Sequence, residues 1–222
     1  MSDKVAHFVV EYKLVIWDWN GTILNDVDLC VETINQGLQK RNIPTVSKER
    51  YLDIFEFPVI NYYQKLGFDL KNESFEKIGM EFIRDYQRRM IECRLHDCAR
   101  EVFEALKAGA VRQTVLSALQ IENLIRVLDH FELREFFPKV FGLDDHFAAG
   151  KIDLGRKLMQ ESGVPSKNVV LIGDTTHDFE VAQELGIDCV LFSGGHNSLE
   201  RLKKCGVPII SSLKDIFDLR PC

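Results

Sequence analysis

Four short runs of apolar residues have the length and the β-branched content of buried strands. They occupy residues 14–17, 114–116, 169–172 and 189–192. A run that is apolar at every position is typical of a strand covered on both faces, because a half-exposed strand alternates apolar with polar residues. The pattern therefore predicts strands of a buried, parallel sheet.

Helical patterns separate the later runs. After Ser117, apolar residues recur at helical spacing, and they are Ile121, Leu124, Ile125, Leu128 and Phe131. A second helical pattern covers about residues 154–161, and a third follows Asp174 and ends before Gly186, a residue suited to the position just after a helix. Strands that alternate with helices form a parallel sheet covered by helices on both faces, so the predicted fold class is α/β.

The interval between the first and second strands is unusually long. About 100 residues lie between Asp18 and Ser117, whereas a simple strand-helix-strand unit needs only ~30. Two apolar helical faces fall inside this interval. The first consists of Val27, Cys30, Val31, Ile34 and Leu38, and the second of Phe75, Ile78, Phe82, Tyr86 and Met90.

These faces predict a small helical domain inserted into the sheet domain. We place the insert at residues 26–93 and the sheet domain at residues 1–25 and 94–222. No Gly/Ser-rich linker separates the two parts, so we expect short hinges near Asn25 and Leu95.

Composition narrows the class of partner. The chain has 28 Lys and Arg against 34 Asp and Glu, a net charge of −6, and lacks a basic run. Nucleic-acid affinity comes largely from cations that neutralise phosphates, so we expect no nucleic-acid partner. The apolar N-terminal stretches are interrupted by His7, Glu11 and Lys13, so we expect neither a signal peptide nor a membrane contact.

The six cysteines are scattered without a paired metal-ligand spacing. We interpret them as reduced thiols, as is usual inside cells. Reduced cysteines are consistent with a cytoplasmic protein, which is what we expect. We also expect either a monomer or a homodimer.

Polar side chains follow three of the predicted strands. Asp18 follows the first, Ser117 the second and Asp174 the third, with Asp178 four residues further on. In an open parallel sheet the ligand site lies beyond the carboxyl ends of the strands. Three carboxylates there repel one another unless a cation lies among them, and an all-oxygen ligand set suits Mg²⁺. The alternative for Asp174 and Asp178 is that they only cap the start of a helix.

Four segments, in this order, resemble the motifs of the haloacid dehalogenase-like hydrolases. They are DWNGT at residues 18–22, Ser117 at a strand end, Lys151 before a helix, and GD at residues 173–174 with Asp178. The resemblance spans nearly the whole chain. From about His96 onward, and in the position of the insert, it is most similar to the phosphoglycolate phosphatase-like branch. It implies a Rossmann-like parallel sheet with an inserted, all-helical cap domain.

The resemblance also implies an activity. Asp18 would attack phosphorus to form an aspartyl-phosphate, which water then hydrolyses, so that one difficult displacement becomes two easier ones. The implied enzyme is a Mg²⁺-dependent phosphatase that acts on small phosphorylated metabolites. In this interpretation the Mg²⁺ ligands are Asp18, the backbone carbonyl of Asn20, Asp174 and Asp178, and the phosphate-binding groups are Ser117, Lys151 and the backbone amide of Gly21.

Asn20 departs from the family pattern. Phosphatases of this family usually have a second aspartate there, which protonates the leaving oxygen and activates water, and an amide can orient a group but cannot do this acid/base work. Three explanations remain open. The substrates have good leaving groups such as acyl or aryl phosphates, or a histidine (His177 or His196) substitutes, or the protein binds phosphorylated ligands with little turnover.

Two further features concern the insert. Residues 55–58 (Phe-Glu-Phe-Pro) are a candidate specificity loop, although their aromatic rings equally suit the core of the insert. A phosphonate hydrolase is a further alternative, because a related branch also lacks the second aspartate and uses a lysine of the cap. The lysines available for that role are Lys40, Lys48, Lys65, Lys71 and Lys77.

Overall fold

The computed structural model describes residues 11–144 and 150–219. Its strands, in chain order, are β1 (Leu14–Trp17), β2 (Leu24–Asn25), β3 (Arg94–Leu95), β4 (Arg112–Gln120), β5 (Val140–Leu143), β6 (Val169–Gly173), β7 (Asp188–Phe192) and β8 (Ile209–Ile210). Six of them form one parallel sheet in the order β5-β4-β1-β6-β7-β8. This arrangement confirms the predicted α/β class.

Nine α-helices lie within the described residues. They are α1 (Val27–Gln39), α2 (Lys48–Ile54), α3 (Val59–Leu66), α4 (Phe75–Arg89), α5 (Ala99–Ala108), α6 (Ile121–His130), α7 (Lys151–Ser162), α8 (Thr176–Leu185) and α9 (Leu199–Lys203). Short 3-10 helices occupy Met90–Glu92, Ser166–Asn168 and Leu213–Asp218. None of the helices in this part of the chain combines the length and the apolar content needed to span a bilayer.

The central strand β1 contributes to two separate apolar clusters. Val15 and Trp17 pack in a cluster with α5 and α6 on one face of the sheet, and Leu14 and Ile16 pack with α7 and α8 on the other. Alternate side chains of a strand point to opposite faces, so a strand covered on both sides must be apolar throughout. This explains the uninterrupted run LVIW in the sequence.

Strand β4 is longer than its apolar run predicts. Its regular pairing ends at Val115 against β1 and at Leu116 against β5, and the register then shifts before the pairing resumes at Gln120. Ser117 is therefore inside the strand rather than after it, but it directly follows the regular ladder. The cause is that the chain continues extended beside β5 until α6 begins.

The insert consists of α1 to α4 and the 3-10 turn at Met90–Glu92, and it is all-helical as expected. The predicted faces of α1 and α4 are buried or pack against the buried cluster. Ser47 and Ser74 cap the N-termini of α2 and α4 through their side chains, which fixes where these helices begin. At the base of the insert, β2 and β3 pair with each other, Leu24 opposite Leu95, at the two places where hinges are predicted.

The exact limits of the two domains remain a prediction. Residues 1–10, 145–149 and 220–222, which were assigned to the sheet domain, lie outside the described residues. The five cysteines at positions 30, 93, 98, 189 and 205 are not joined in disulfides, and their reduced state stays a prediction.

Candidate active site

Three carboxylates meet at the carboxyl edge of the sheet. Asp18 follows β1, Asp174 follows β6, and Asp178 lies in the first turn of α8; one carboxylate oxygen from each lies within 4.8 Å of the others. All three side chains are buried. The strands bring them together because β1 and β6 are neighbours, and the Asp18 amide donates to the carbonyl of Ile172 at 2.9 Å.

Lys151 supplies the cation of this cluster. It is the first residue of α7, and its Nζ lies 2.5 Å from Asp18 Oδ1 and 2.6 Å from Asp178 Oδ1. The lysine side chain is only 4% exposed. A buried ion pair is retained only when its charges are well paired, so the lysine and the two carboxylates depend on one another.

Burial and mutual repulsion shift the acidities of the cluster. Burial raises the pKa of the Asp18 carboxyl well above its ordinary value, even though Lys151 opposes the shift. Burial also raises the pKa of Asp174 to about 6. At Asp178 burial acts in the same direction, but Lys151 and the Thr175 hydroxyl hold its pKa below the ordinary value. One ammonium thus leaves the negative charge of three buried carboxylates undercompensated.

The helix-cap interpretation of this segment is partly right. The N-cap of α8 is Thr175, not Asp174, and Thr175 forms a capping box with Asp178. Asp178 Oδ2 accepts from the Thr175 hydroxyl at 2.7 Å and from the backbone amide of Thr175 at 3.0 Å, while its Oδ1 faces Lys151. The carboxylate therefore caps a helix and belongs to the buried cluster at the same time.

Asp174 is held by groups from two other segments. Thr22 donates its hydroxyl to Asp174 Oδ1 at 2.7 Å, and the amide of His196 donates to Oδ2 at 2.6 Å. Gly21 comes so close that a Cβ there would overlap with Asp174 and with the His196 ring, and its φ of +75° is one that glycine adopts easily. The glycine of DWNGT is thus needed for close approach to the cluster.

The two other predicted phosphate contacts are engaged within the protein. The Gly21 amide donates to Asp26 Oδ1 at 2.8 Å. Ser117 is fully buried, and its Oγ accepts from the amide of Leu119 at 3.0 Å. Phosphate binding by these two groups stays a prediction. Lys151 is the phosphate-binding candidate that the structure brings beside Asp18.

Asn20 belongs to a buried network that the sequence did not reveal. Its Nδ2 donates to Asp26 Oδ2 at 2.8 Å and lies 2.5 Å from the Tyr86 hydroxyl, which in turn donates to Asp26 Oδ2 at 2.6 Å. An aspartate at position 20 would place a second carboxylate against Asp26. The amide at position 20 is therefore matched to the carboxylate at position 26.

His196 completes this network, whereas His177 does not reach it. His196 Nε2 lies 3.2 Å from Asp26 Oδ1 and its Nδ1 lies 2.8 Å from the Tyr51 hydroxyl. Burial favours neutral His196, but Asp26 raises its pKa to about 9. Burial likewise disfavours the charge of Asp26, and His196 lowers its pKa below the ordinary value. The other histidine, His177, is partly buried, pairs with Glu180 and stacks on the ring of Phe57 at 4.8 Å between centroids.

The ion pair between His196 and Asp26 predicts a pH-dependent stability. The pKa of His196 is about 9 against an ordinary 6.5, so its contribution is complete below pH 6.5 and is lost as the pH rises through 9. We expect His196→Gln to lower the free energy of unfolding by roughly 3 kcal/mol near neutral pH and by much less above pH ~10. Denaturant unfolding at both pH values measures the difference, with the exposed His130→Gln as control. An equal loss at both pH values would contradict a charged pair.

A cavity of about 210 Å³ opens over the carboxylate cluster. Asp18, Lys151 and Asp178 line it from the sheet domain, and the rings of α2 to α4 line it from the insert. The aromatic residues around it are Tyr51, Phe55, Phe57, Tyr62, Tyr63, Phe75, Phe82 and Tyr86. Phe55 and Phe57 of the predicted specificity loop are thus brought to the candidate site.

The residues missed by sequence reasoning lie mainly in the insert and at the point where the chain enters it. Asp26 carries a local signal, since it is a charged residue directly before the apolar face of α1 and six residues after Asn20. Tyr62 and Tyr86 carry none beyond helical spacing, because their neighbours in the site are distant in the sequence.

Residues 15–192 match the sequence model of the family described as haloacid dehalogenase-like hydrolase. The chain belongs to this family, which confirms the resemblance carried by its four motifs. It is therefore an enzyme of a hydrolase family. Among individual proteins it is similar to the phosphoglycolate phosphatase of Pseudomonas savastanoi, with 23% identity over 196 residues that cover 83% of this chain and 71% of that protein.

Another relative is the tyrosine-protein kinase PtkA of Mycobacterium tuberculosis. It is 25% identical over 211 residues, which cover 94% of this chain and 71% of PtkA. The solved PtkA structure superposes with a TM-score of 0.78 at 21% identity, covering 94% of this chain and 97% of that one. CbbY from Rhodobacter sphaeroides, solved in complex with phosphate, gives a TM-score of 0.72 at 17% identity over 94% and 100% of the two chains. These structures share the fold.

Proposed function

We propose that the protein is a Mg²⁺-dependent phosphatase that hydrolyses small phosphate monoesters through Asp18. The observation that carries the proposal is the cluster itself: a buried carboxylate beside a lysine ammonium at 2.5 Å, with two further carboxylates close by, on the wall of a cavity. Membership of the haloacid dehalogenase-like hydrolase family and the similarity to a phosphoglycolate phosphatase support the same chemistry.

In the proposed reaction Asp18 forms a bond to phosphorus while the bond from phosphorus to the ester oxygen breaks, and the leaving oxygen departs with the electron pair. Water then attacks the same phosphorus while the bond from phosphorus to the Asp18 oxygen breaks, so that phosphate leaves, a proton of the water passes to solvent and the Asp18 carboxylate is restored. Lys151 attracts the phosphoryl oxygens and offsets the charge that two anions bring together.

The donor set fits Mg²⁺. Buried carboxylate oxygens are the ligands that this ion prefers, and Lys151 alone among the described lysines faces them, which leaves their charge undercompensated. The ion would be held by Asp18, Asp174, Asp178 and the backbone carbonyl of Asn20. When bound, it supplies positive charge that lowers the repulsion between the carboxylate and the phosphate.

The network around Asn20 bears on which substrates can react. An amide cannot protonate the leaving oxygen. The two ring nitrogens of His196 face Asp26 and Tyr51, so a proton on either nitrogen is already engaged in a hydrogen bond within the protein. Of the three explanations for Asn20, this arrangement argues against His196 as the substitute acid. Of the two that are left, the proposed phosphatase requires substrates whose leaving groups need little protonation.

The phosphonate hydrolase alternative requires a lysine of the insert at the cavity. None of the five lysines of the insert lines the cavity. Four of them form surface ion pairs, namely Lys40 with Asp85, Lys48 with Asp28, Lys65 with Glu56 and Lys77 with Glu73, and Lys71 is exposed.

Metal dependence is the first test of the proposal. We expect the purified protein to hydrolyse aryl phosphates with Mg²⁺ and to lose at least about 100-fold in rate after chelation, because the charge of the phosphate is then uncompensated. Mg²⁺ should also raise the unfolding temperature. The Asp174→Asn variant should lose both responses, whereas Asp153→Asn, at an exposed position of α7, should keep them. Hydrolysis that is unaffected by chelation would contradict the proposal.

The binding-protein alternative has its own outcome. It predicts no hydrolysis by the wild type but activity once an acid is placed at position 20. Because Asp26 faces that position, the sharp variant is the double exchange Asn20→Asp with Asp26→Asn, which keeps one carboxylate and one amide in contact. Activity in the double variant alone would favour the binding function.

A further inference from the structure

The part of the cavity formed by the insert is almost entirely aromatic and aliphatic. Rings from α2, α3 and the loop between them form one wall. One face of α4 also lines the cavity, and on it Phe75, Gly79, Phe82 and Tyr86 follow one another at helical spacing. Among the described residues, Asp26, the first residue of the insert, is the only charged one that the insert contributes to the lining of the cavity.

The rings are already arranged as a packed aromatic cluster. Phe55 lies 5.3 Å from Tyr51, centroid to centroid, in a stacked arrangement and 5.3 Å from Tyr62 edge to face. On α4, Phe82 and Tyr86 stack at 5.9 Å. These are the separations at which aromatic pairs attract one another, so the parts of these rings that line the cavity can attract a further flat ring in the same way.

The cavity has room for such a ring. Its volume, which includes the space over the carboxylates, is about 210 Å³, and an apolar cavity of about 150 Å³ in another protein takes up benzene. Gly79 contributes to this space, because a Cβ there would meet no atom within 4 Å. The position accepts a larger residue, and glycine leaves it open.

Tyr62 adds a polar group to this wall. Its side chain is 2% exposed and lines the cavity, and its hydroxyl has no hydrogen-bond partner among the described residues. A buried hydroxyl normally has a partner. The missing partner is explained if a ligand brings a hydrogen-bond acceptor.

From these observations, and resting on the proposed phosphatase function, we propose that the substrate is an aryl phosphate, a monoester whose aromatic ring occupies the cavity and carries a hydrogen-bond acceptor within reach of Tyr62. In the first step the bond from Asp18 to phosphorus forms while the bond from phosphorus to the aryl oxygen breaks. The phenolate leaves with the electron pair and is protonated by water. Such a leaving group does not need the acid that Asn20 cannot supply.

The same wall disfavours an anionic alcohol portion. A carboxylate such as that of 2-phosphoglycolate would lie among aromatic rings, where burial of an unpaired charge is costly. Lys151 and His196, the cations that line the cavity among the described residues, already face Asp18, Asp178 and Asp26. The aryl class is therefore distinguished from the substrate named for the phosphoglycolate phosphatase relative.

The test separates the ring from the leaving group. We compare kcat/KM for phenyl, benzyl and ethyl phosphate and for 2-phosphoglycolate at fixed Mg²⁺. Benzyl and ethyl phosphate both release an alkoxide, so burial of the ring distinguishes them, and we expect a preference for benzyl of about 10- to 100-fold. Phenyl phosphate should be faster still. If ethyl phosphate or 2-phosphoglycolate is hydrolysed with a kcat/KM equal to that of benzyl phosphate, the inference is overturned. The phosphatase function would then still stand.

Variants of the wall provide the control. Gly79→Leu fills the cavity and should reduce the preference for benzyl over ethyl phosphate at least about 10-fold, and Gly79→Ala should have a smaller effect. Gly37→Leu makes the same change on α1, where a Cβ meets only Phe68 at 3.8 Å and the residue does not line this cavity. It should keep the wild-type preference. An unchanged preference in a folded Gly79→Leu protein overturns the inference.

Binding of inert analogues decides the matter without turnover. Benzylphosphonate should bind more tightly than methylphosphonate in the presence of Mg²⁺, and at least one of its 2-, 3- and 4-methoxy derivatives should bind more tightly still in the wild type but not in Tyr62→Phe. If no ester is hydrolysed, the phosphatase proposal fails, but a preference for benzylphosphonate still supports the ring site. Equal binding of benzylphosphonate and methylphosphonate overturns the ring site. If no methoxy derivative binds more tightly than benzylphosphonate itself, the role of Tyr62 is overturned.

Discussion

The Asp18→Asn variant is expected to lose phosphatase activity by a factor on the order of 10⁴ or more, because the amide cannot act as the nucleophile on which both chemical steps depend. The fold should remain. Asparagine has nearly the shape of aspartate, Lys151 keeps its contact with Asp178 at 2.6 Å, and the repulsion from Asp174 and Asp178 is relieved. We therefore expect a change in the free energy of unfolding smaller than about 2 kcal/mol.

Rates with phenyl phosphate and thermal unfolding of the same samples check this prediction. The matched control is Asp129→Asn, the same substitution at an exposed carboxylate of α6. Full Mg²⁺-dependent activity in Asp18→Asn would show that another group attacks phosphorus. A protein that fails to fold would assign Asp18 a structural role instead.

Replacement of Lys151 by methionine should affect both activity and stability. Removal of the ammonium leaves Asp18 and Asp178 buried without their cation, and breaking a buried ion pair in this way costs about 3–5 kcal/mol. The rate should fall by about 10²- to 10³-fold, as for the loss of a group that stabilises charge in the transition state. We expect Mg²⁺ to restore part of the stability but little of the rate.

The pH dependence of that variant has a definite sign. Without Lys151 the buried carboxylates have folded-state pKa values above their unfolded ones, so their ionisation opposes folding and the stability falls as the pH rises. The loss relative to wild type should therefore be larger at pH ~8 than at pH ~5. Lys157→Met, at an exposed position of the same helix, serves as the control. A loss that is independent of pH would contradict the account of the cluster.

Sequence patterns were sufficient to predict four of the six strands of the sheet and the carboxylate cluster, because these follow from local rules. Uninterrupted apolar runs mark strands buried on both faces, and the residue after each run lies at the carboxyl edge. Asp18 and Asp174 meet because β1 and β6 are neighbours. Lys151 was indicated by the family motif, and its position at the start of α7 places it beside them.

The network around Asp26 could not be predicted in this way. Its members Tyr86 and His196 lie 60 and 170 residues further along the chain, and no local pattern specifies that pairing. The relative placement of insert and sheet decides it. The aromatic lining of the cavity could not be predicted either. The sequence pattern of Tyr62 and Phe82 is equally typical of core residues of the insert, and only the structure shows that they line a cavity.

The strands β5 and β8 also escaped prediction. β8 has two residues, and β5 has four with a glycine at its centre, so neither presents a long apolar run. Gly142 is required there because a Cβ would come within 2.7 Å of the Leu119 carbonyl, where the register between β4 and β5 shifts. Edge strands of this kind are specified by their neighbours more than by their own sequence.

The measurement that most directly tests the role of Asp18 is mass spectrometry of the acid-quenched enzyme during turnover of phenyl phosphate with Mg²⁺. Peptides from wild type, Asp18→Asn and Asp129→Asn are compared, with sodium borohydride reduction marking any acyl phosphate. We predict a phosphoryl group on the peptide that contains Asp18, with homoserine at position 18 after reduction, in wild type and Asp129→Asn but not in Asp18→Asn. A phosphoryl group found on a different residue, or turnover of wild type that never labels position 18, would contradict the account.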